Sequence, residues 1–144
     1  MSVTLDAFAV LALLKGEPAA GEVRHLVVNG DAVLTVLGVA EVVDHLVRIV
    51  GVTEEEAALD LAQLGLGDPE PLEAGLARRS GLLRARWYHR TRCAVSLADC
   101  VVAETARSNG SSVATSDPHL LDLCRDEEIG VIPLRGSRGH TWPG

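Results

Sequence analysis

Hydrophobic positions fall into short apolar runs that alternate with longer stretches of helical spacing. Ser2 to Leu5 reads as a strand ending at Asp6, and Ala7 to Leu14, apolar on nearly every side, as a buried helix stopped by Gly16 and Pro18. Val23, Leu26 and Val27 share a face of a second helix, Ala19 to Val28, and Asn29-Gly30-Asp31 turns the chain into a strand from Ala32 to Val36. Val39, Val42, Val43, Leu46, Ile49 and Val50 keep helical spacing as far as Gly51, and Thr53-Glu54-Glu55-Glu56 opens the next helix with a capping-box pattern. Gly65 to Pro71 reads as a loop, Leu72 to His89 as a helix broken near Gly81, and Ser96 to Arg107 as a helix ended by Asn109-Gly110. Ser112 to Thr115 is a third strand, Asp117-Pro118 begins a helix to Asp126, and Val131-Ile132 is a short last strand. Strands separated by helices predict an α/β fold, a doubly wound parallel sheet with helices on both faces. One domain over residues 1–135 and an irregular tail over 136–144 are expected, with no internal repeats.

Composition adds bounds. The chain has 144 residues, 47% of them hydrophobic, enough for one buried core. No apolar run approaches the roughly 18 residues of a membrane helix, and no secretory signal is legible, so a cytoplasmic location is expected. Cys93, Cys100 and Cys124 lack CxxC spacing and imply neither a disulfide framework nor a zinc ribbon. The net charge of −7 argues against a nucleic-acid partner until its distribution is considered. Residues 1–77 carry 13 acids against Lys15, Arg24 and Arg48, whereas residues 78–144 carry 7 acids against 10 arginines, giving −10 and +3.

In a parallel α/β sheet, residues just past the carboxyl ends of strands meet at one edge, where ligands bind at the reversal of strand order. Asp6 and Asp117 hold such positions, Asp99 opens the helix before the third strand, and Glu41 lies one turn into its own helix. Each has a structural role available. Asp6 and Asp117 suit helix N-caps, Asp99 completes a capping box with Ser96, and Glu41 can pair with His45. Their apolar surroundings favour a further role, because buried carboxylates must be capped, protonated or bound to a cation. Four oxygen donors without zinc-type His or Cys spacing point to Mg²⁺ or Mn²⁺.

The segments Val3-Thr4-Leu5-Asp6-Ala7, Val39-Ala40-Glu41-Val42, Ser96 to Ala103 and Val113-Ala114-Thr115-Ser116-Asp117 resemble the four acidic motifs of the PIN-domain family, in family order and spacing. Within it the chain is most similar to the VapC ribonuclease toxins of type II toxin–antitoxin systems. The resemblance implies that Asp6, Glu41, Asp99 and Asp117 gather one or two Mg²⁺ or Mn²⁺ ions, with Thr115 as a supporting hydroxyl. It also implies metal-dependent endoribonuclease activity, a homodimer and a cognate antitoxin. Ala7, Glu104 and His119 depart from the family pattern, and His119 stands where an extra acid is common.

No acid interrupts the stretch from Arg78 to Arg92, in which Arg84, Arg86, Arg90 and Arg92 are interleaved with Trp87, Tyr88 and His89. Arginines bind phosphates and aromatics stack on unpaired bases, so this stretch is the candidate RNA contact; the alternative is core aromatics beneath a solvated arginine face. A receiver domain requires a lysine near its last strands, and Lys15 is the only lysine. A haloacid-dehalogenase-type phosphatase requires Asp-x-Asp, which Asp6-Ala7-Phe8 does not supply. The remaining alternative is a non-catalytic PIN-fold module that binds RNA or a protein partner.

Overall fold

Strands β1 (Val3–Leu5), β2 (Ala32–Val33), β3 (Ser112–Thr115) and β4 (Val131–Pro133) pair in parallel, in the order β2-β1-β3-β4. The structure, a computed structural model, describes residues 2–144. Val3 to Leu5 is buried throughout, as expected of a central strand covered on both faces. Strand order reverses between β1 and β3, which places the switch point of the sheet at Asp6 and Asp117. The doubly wound α/β expectation therefore holds.

Helices α1 (Ala7–Lys15), α2 (Ala20–Val28), α3 (Val36–Asp44), α4 (Glu54–Ala62), α5 (Ala74–Trp87), α6 (Leu97–Asn109) and α7 (Pro118–Asp126) supply the layers around the sheet. One hydrophobic cluster joins Val3, Leu5 and Ala114 to α1, α2 and α3, and a second joins Val113 to α6, α7 and Leu83 of α5. Adjacent residues Val113 and Ala114 thus point into opposite cores, as the two-residue period of a strand requires. No helix among the described residues is long and apolar enough to cross a membrane.

Three segments differ from the sequence reading. The strand expected over Ala32 to Val36 stops at Val33, because Thr35 turns to cap α3 by accepting from the Gly38 amide at 2.9 Å. The single helix expected up to Gly51 becomes a π-helical turn over His45–Val50, closed where the Gly51 amide reaches the Leu46 carbonyl at 2.9 Å. The break expected at Gly81 is absent. Leu76, Ser80 and Leu83 form a buried stripe on α5, and packing along it outweighs the roughly 1 kcal/mol that glycine costs in a helix.

Candidate functional site

Asp6 follows β1 directly and begins α1. Its Oδ1 accepts from the Ala9 amide at 2.8 Å and its Oδ2 accepts from the Thr115 hydroxyl, so both oxygens are oriented by the fold. Thr115 ends β3 and is fully buried; its Oγ1 also accepts from the Asp117 amide at 3.0 Å, tying the ends of β1 and β3 together. Asp117 caps α7, where its Oδ1 accepts from the His119 amide at 2.9 Å and Pro118 occupies the first turn. Asp99 closes a reciprocal capping box with Ser96: its amide donates to the Ser96 hydroxyl at 3.0 Å and its Oδ2 accepts from the Ser96 amide at 2.9 Å. Three of the four acids are thus helix-start residues, and their caps aim them at one edge of the sheet.

These carboxylates sense one another. Burial pushes the Asp6 carboxyl up to about 7, against the hydrogen bonds from Thr115 and Ala9, and the charges of Asp99 and Asp117 push in the same direction. Burial also raises Asp99; the Ser96 amide opposes it, Asp117 adds to it, and the neighbouring His119 lowers it. Glu41, on α3, opens to solvent on one side, while the protein around the rest of it raises its pKa and the charge of Asp99 adds to the rise. The structure therefore brings Asp6, Asp99 and Asp117 into one electrostatic group, with Glu41 coupled to it through Asp99. It does not bring Glu41 to His45, whose imidazole Nε2 lies 3.4 Å from Lys15 Nζ and whose ring meets Phe8 edge-on.

Among the described residues, no three His, Cys, Asp or Glu side chains are gathered closely enough to hold a metal ion between them as the side chains stand. The donor set is nonetheless chemically suited to a hard divalent cation. It consists of carboxylate oxygens with one supporting hydroxyl, and their mutual repulsion is what a cation of that kind relieves. An open carboxylate edge of this sort suits Mg²⁺, which keeps several waters, better than a dehydrated all-protein site. His119 turns its Nδ1 toward the Ala94 amide, from which it accepts at 3.3 Å, and so braces the segment before α6.

The four arginines of the candidate RNA contact have different surroundings. Arg84 donates from Nε to the Val95 carbonyl at 2.9 Å and lies 4.2 Å over the Tyr88 ring, so it locks the end of α5 to the segment that leads into α6. Arg86 pairs with Glu127 at 3.2 Å, beside the Trp87 indole that donates to the same carboxylate at 2.6 Å. Arg90 and Arg92 are exposed, and Arg92 helps to line an open cavity of about 470 Å³ with Tyr88, His89 and Arg125. Glu104 is buried and pairs with Arg107 at 3.3 Å and Arg79 at 4.0 Å, which accounts for an acid at this point of α6.

One contribution carried no signal in the hydrophobic pattern. Residues after Gly136 form no helix or strand, yet they return to Ser116 and Pro118 and line an open cavity of about 360 Å³ there. Trp142, alone in an otherwise polar tail, was the available clue.

Residues 3–126 match the PIN domain. No curated protein matches the chain. Among solved structures, the chain is similar to FitAcB from Neisseria gonorrhoeae, with a TM-score of 0.66, 19% identity and coverage of 90% of this chain and 96% of that one. It is similar to VapBC2 from Rickettsia felis, solved bound to a DNA fragment from its promoter, with a TM-score of 0.65, 16% identity and coverage of 93% and 99%. A four-stranded parallel sheet with acids at its switch point, and a family match over most of the sequence, lead to one conclusion: the chain belongs to the PIN-domain family.

Proposed function

We propose that this chain is a metal-dependent endoribonuclease that hydrolyses RNA phosphodiester bonds, and that it is the toxin of a toxin–antitoxin pair. The observation that carries this reading is the coupled group Asp6, Asp99, Asp117 and Glu41 at the switch point of the sheet, with Asp6 raised to about 7. These four residues would hold Mg²⁺ or Mn²⁺, with Thr115 in support. When bound, such a cation supplies Lewis acidity toward a phosphate and acidifies a coordinated water. The chain's own contribution is orientation. Ala9 and Thr115 fix the Asp6 oxygens, the capping box fixes Asp99, and the Thr115–Asp117 contact keeps β1 and β3 in step.

The basic second half, with Arg90 and Arg92 exposed beside Tyr88, supports a single-stranded RNA substrate, which would meet arginine and aromatic surface rather than the acidic first half. Arg84 and Arg86 belong to the same stretch; their contacts to Val95 and Glu127 make them supports for that surface. A fold shared with proteins solved as FitAB and VapBC2 supports an antitoxin partner, and the resemblance to VapC toxins carries the expectation of a homodimer.

Capping of three acids by the fold favours one second reading, a binding module without catalysis. Incubation of purified protein with single-stranded RNA separates the two. The nuclease reading predicts internal cleavage in Mg²⁺ or Mn²⁺ that chelation abolishes. Intact RNA in the presence of either cation, with the protein folded and bound to it, supports the module instead.

A further inference from the structure

The tail begins where β4 ends, at the same sheet edge as the acids, and it is fastened at both ends. Leu134 donates its amide to the Thr115 carbonyl at 2.9 Å, and Arg135 donates to Glu22 at 3.0 Å and to the Pro18 carbonyl at 2.9 Å. Beyond, a turn closes between the Gly136 amide and the His140 carbonyl at 2.8 Å. The Trp142 indole then donates to Asp122 of α7 at 2.9 Å, with the Arg125 guanidinium 5.7 Å from its ring. Between these fastenings, Arg138 and His140 stand exposed on the cavity of about 360 Å³ whose wall includes Ser116 and Pro118, the residues on either side of Asp117.

We infer that this strap is a phosphate-binding subsite: Arg138 and His140 hold a backbone phosphate of the nucleic-acid strand and so position the neighbouring phosphodiester at the carboxylate edge. This rests on the endoribonuclease reading and extends it. The physical need is plain, because Asp6, Asp99 and Asp117 repel an incoming phosphate and the arginines of residues 84–92 come from a different part of the chain. Positive charge on a cavity walled by Ser116 and Pro118 offsets that repulsion near the edge, and the two-point fastening limits the entropy lost when the strand is gripped. Arginine suits the task, since its planar donors match a phosphate.

The test measures binding of a short fluorescent single-stranded oligoribonucleotide to the Asp99→Asn protein as salt is varied. Adding Arg138→Gln and His140→Gln should weaken binding about fivefold and flatten the slope of affinity against salt by about 1, as loss of one phosphate contact requires. Arg138→Lys with His140 intact should restore most of the slope. Trp142→Phe, which removes the donor to Asp122, should weaken binding without altering the charge of the tail. Unchanged affinity and slope in the double variant, with the parent still bound in a salt-dependent way, overturn the subsite and leave the nuclease reading standing. An Asp99→Asn protein that binds no RNA, together with an unsubstituted protein that does not cleave it in Mg²⁺ or Mn²⁺, overturns both.

Discussion

Replacing Asp99 by Asn is expected to lower RNA cleavage about a thousandfold while the protein stays folded. Loss of a carboxylate from a cation site removes several kcal/mol of charge stabilisation, and each 1.4 kcal/mol is about a factor of ten in rate. Asparagine retains a side-chain oxygen to accept from the Ser96 amide, and the backbone amide of residue 99 still donates to the Ser96 hydroxyl, so the capping box and α6 survive. Asp6→Asn should lose activity alike; its side-chain oxygen still accepts from Ala9, while the bond from the Thr115 hydroxyl to the second oxygen is lost and lowers the thermal midpoint by a few degrees without unfolding the protein. The single-turnover cleavage rate reads the effect, and the thermal midpoint supplies the control. Activity within a few fold of the parent in either variant removes that residue from the site.

The protein without divalent cation is expected to lose stability as pH rises from about 4 to about 7, the reverse of ordinary acid denaturation. Asp6 titrates at 3.8 in a free chain and at about 7 in the fold. Across that interval the folded protein keeps a proton that the unfolded chain has released, so folding is favoured at the lower pH and the advantage is gone above about 7. Asp99 and Glu41 are raised too and act in the same direction. Glu127 opposes them only at the acid end. Burial alone would raise its carboxyl, but bonds from Trp87, Arg107 and Arg86 hold it below 4.5, so its contribution is lost only as pH falls below that value. Between pH 5 and pH 8 the carboxylate edge therefore dominates. The melting midpoint in chelator should be lower by at least about 5 °C at pH 8 than at pH 5. Mg²⁺ should raise it at pH 8 more than at pH 5, and Asp6→Asn should remove much of the slope. Equal midpoints at both pH values contradict the electrostatic picture.

The elements that position the site were legible because their signals are local. Asp117-Pro118 and Ser96-Leu97-Ala98-Asp99 announce helix starts, and Ser112 to Thr115 is a run of small and β-branched residues before a turn. Family spacing then added what no single cap could supply, the expectation that four such acids belong together. Thr35 reads locally as part of a strand, yet it caps α3 and bridges to Glu70, a pairing set by the loop after α4. The π-helical turn preserves the apolar spacing of Leu46, Ile49 and Val50 while leaving Ile49 and Val50 exposed, so periodicity alone does not reveal it. Arg84 and Arg86 look alike in the sequence as solvated cations, but one holds a backbone carbonyl and the other an acid from the end of α7. Those partners lie 11 and 41 residues away, beyond any local pattern.

The central claim is that Asp6, Glu41, Asp99 and Asp117 hold a divalent cation, and the free Mn²⁺ signal in electron paramagnetic resonance tests it most directly. Titrating Mn²⁺ into the protein at pH 8 is predicted to suppress that signal saturably, with binding lost in Asp99→Asn and competed away by Mg²⁺. A signal that rises in proportion to added Mn²⁺ from the first addition, with the protein folded, would contradict the account.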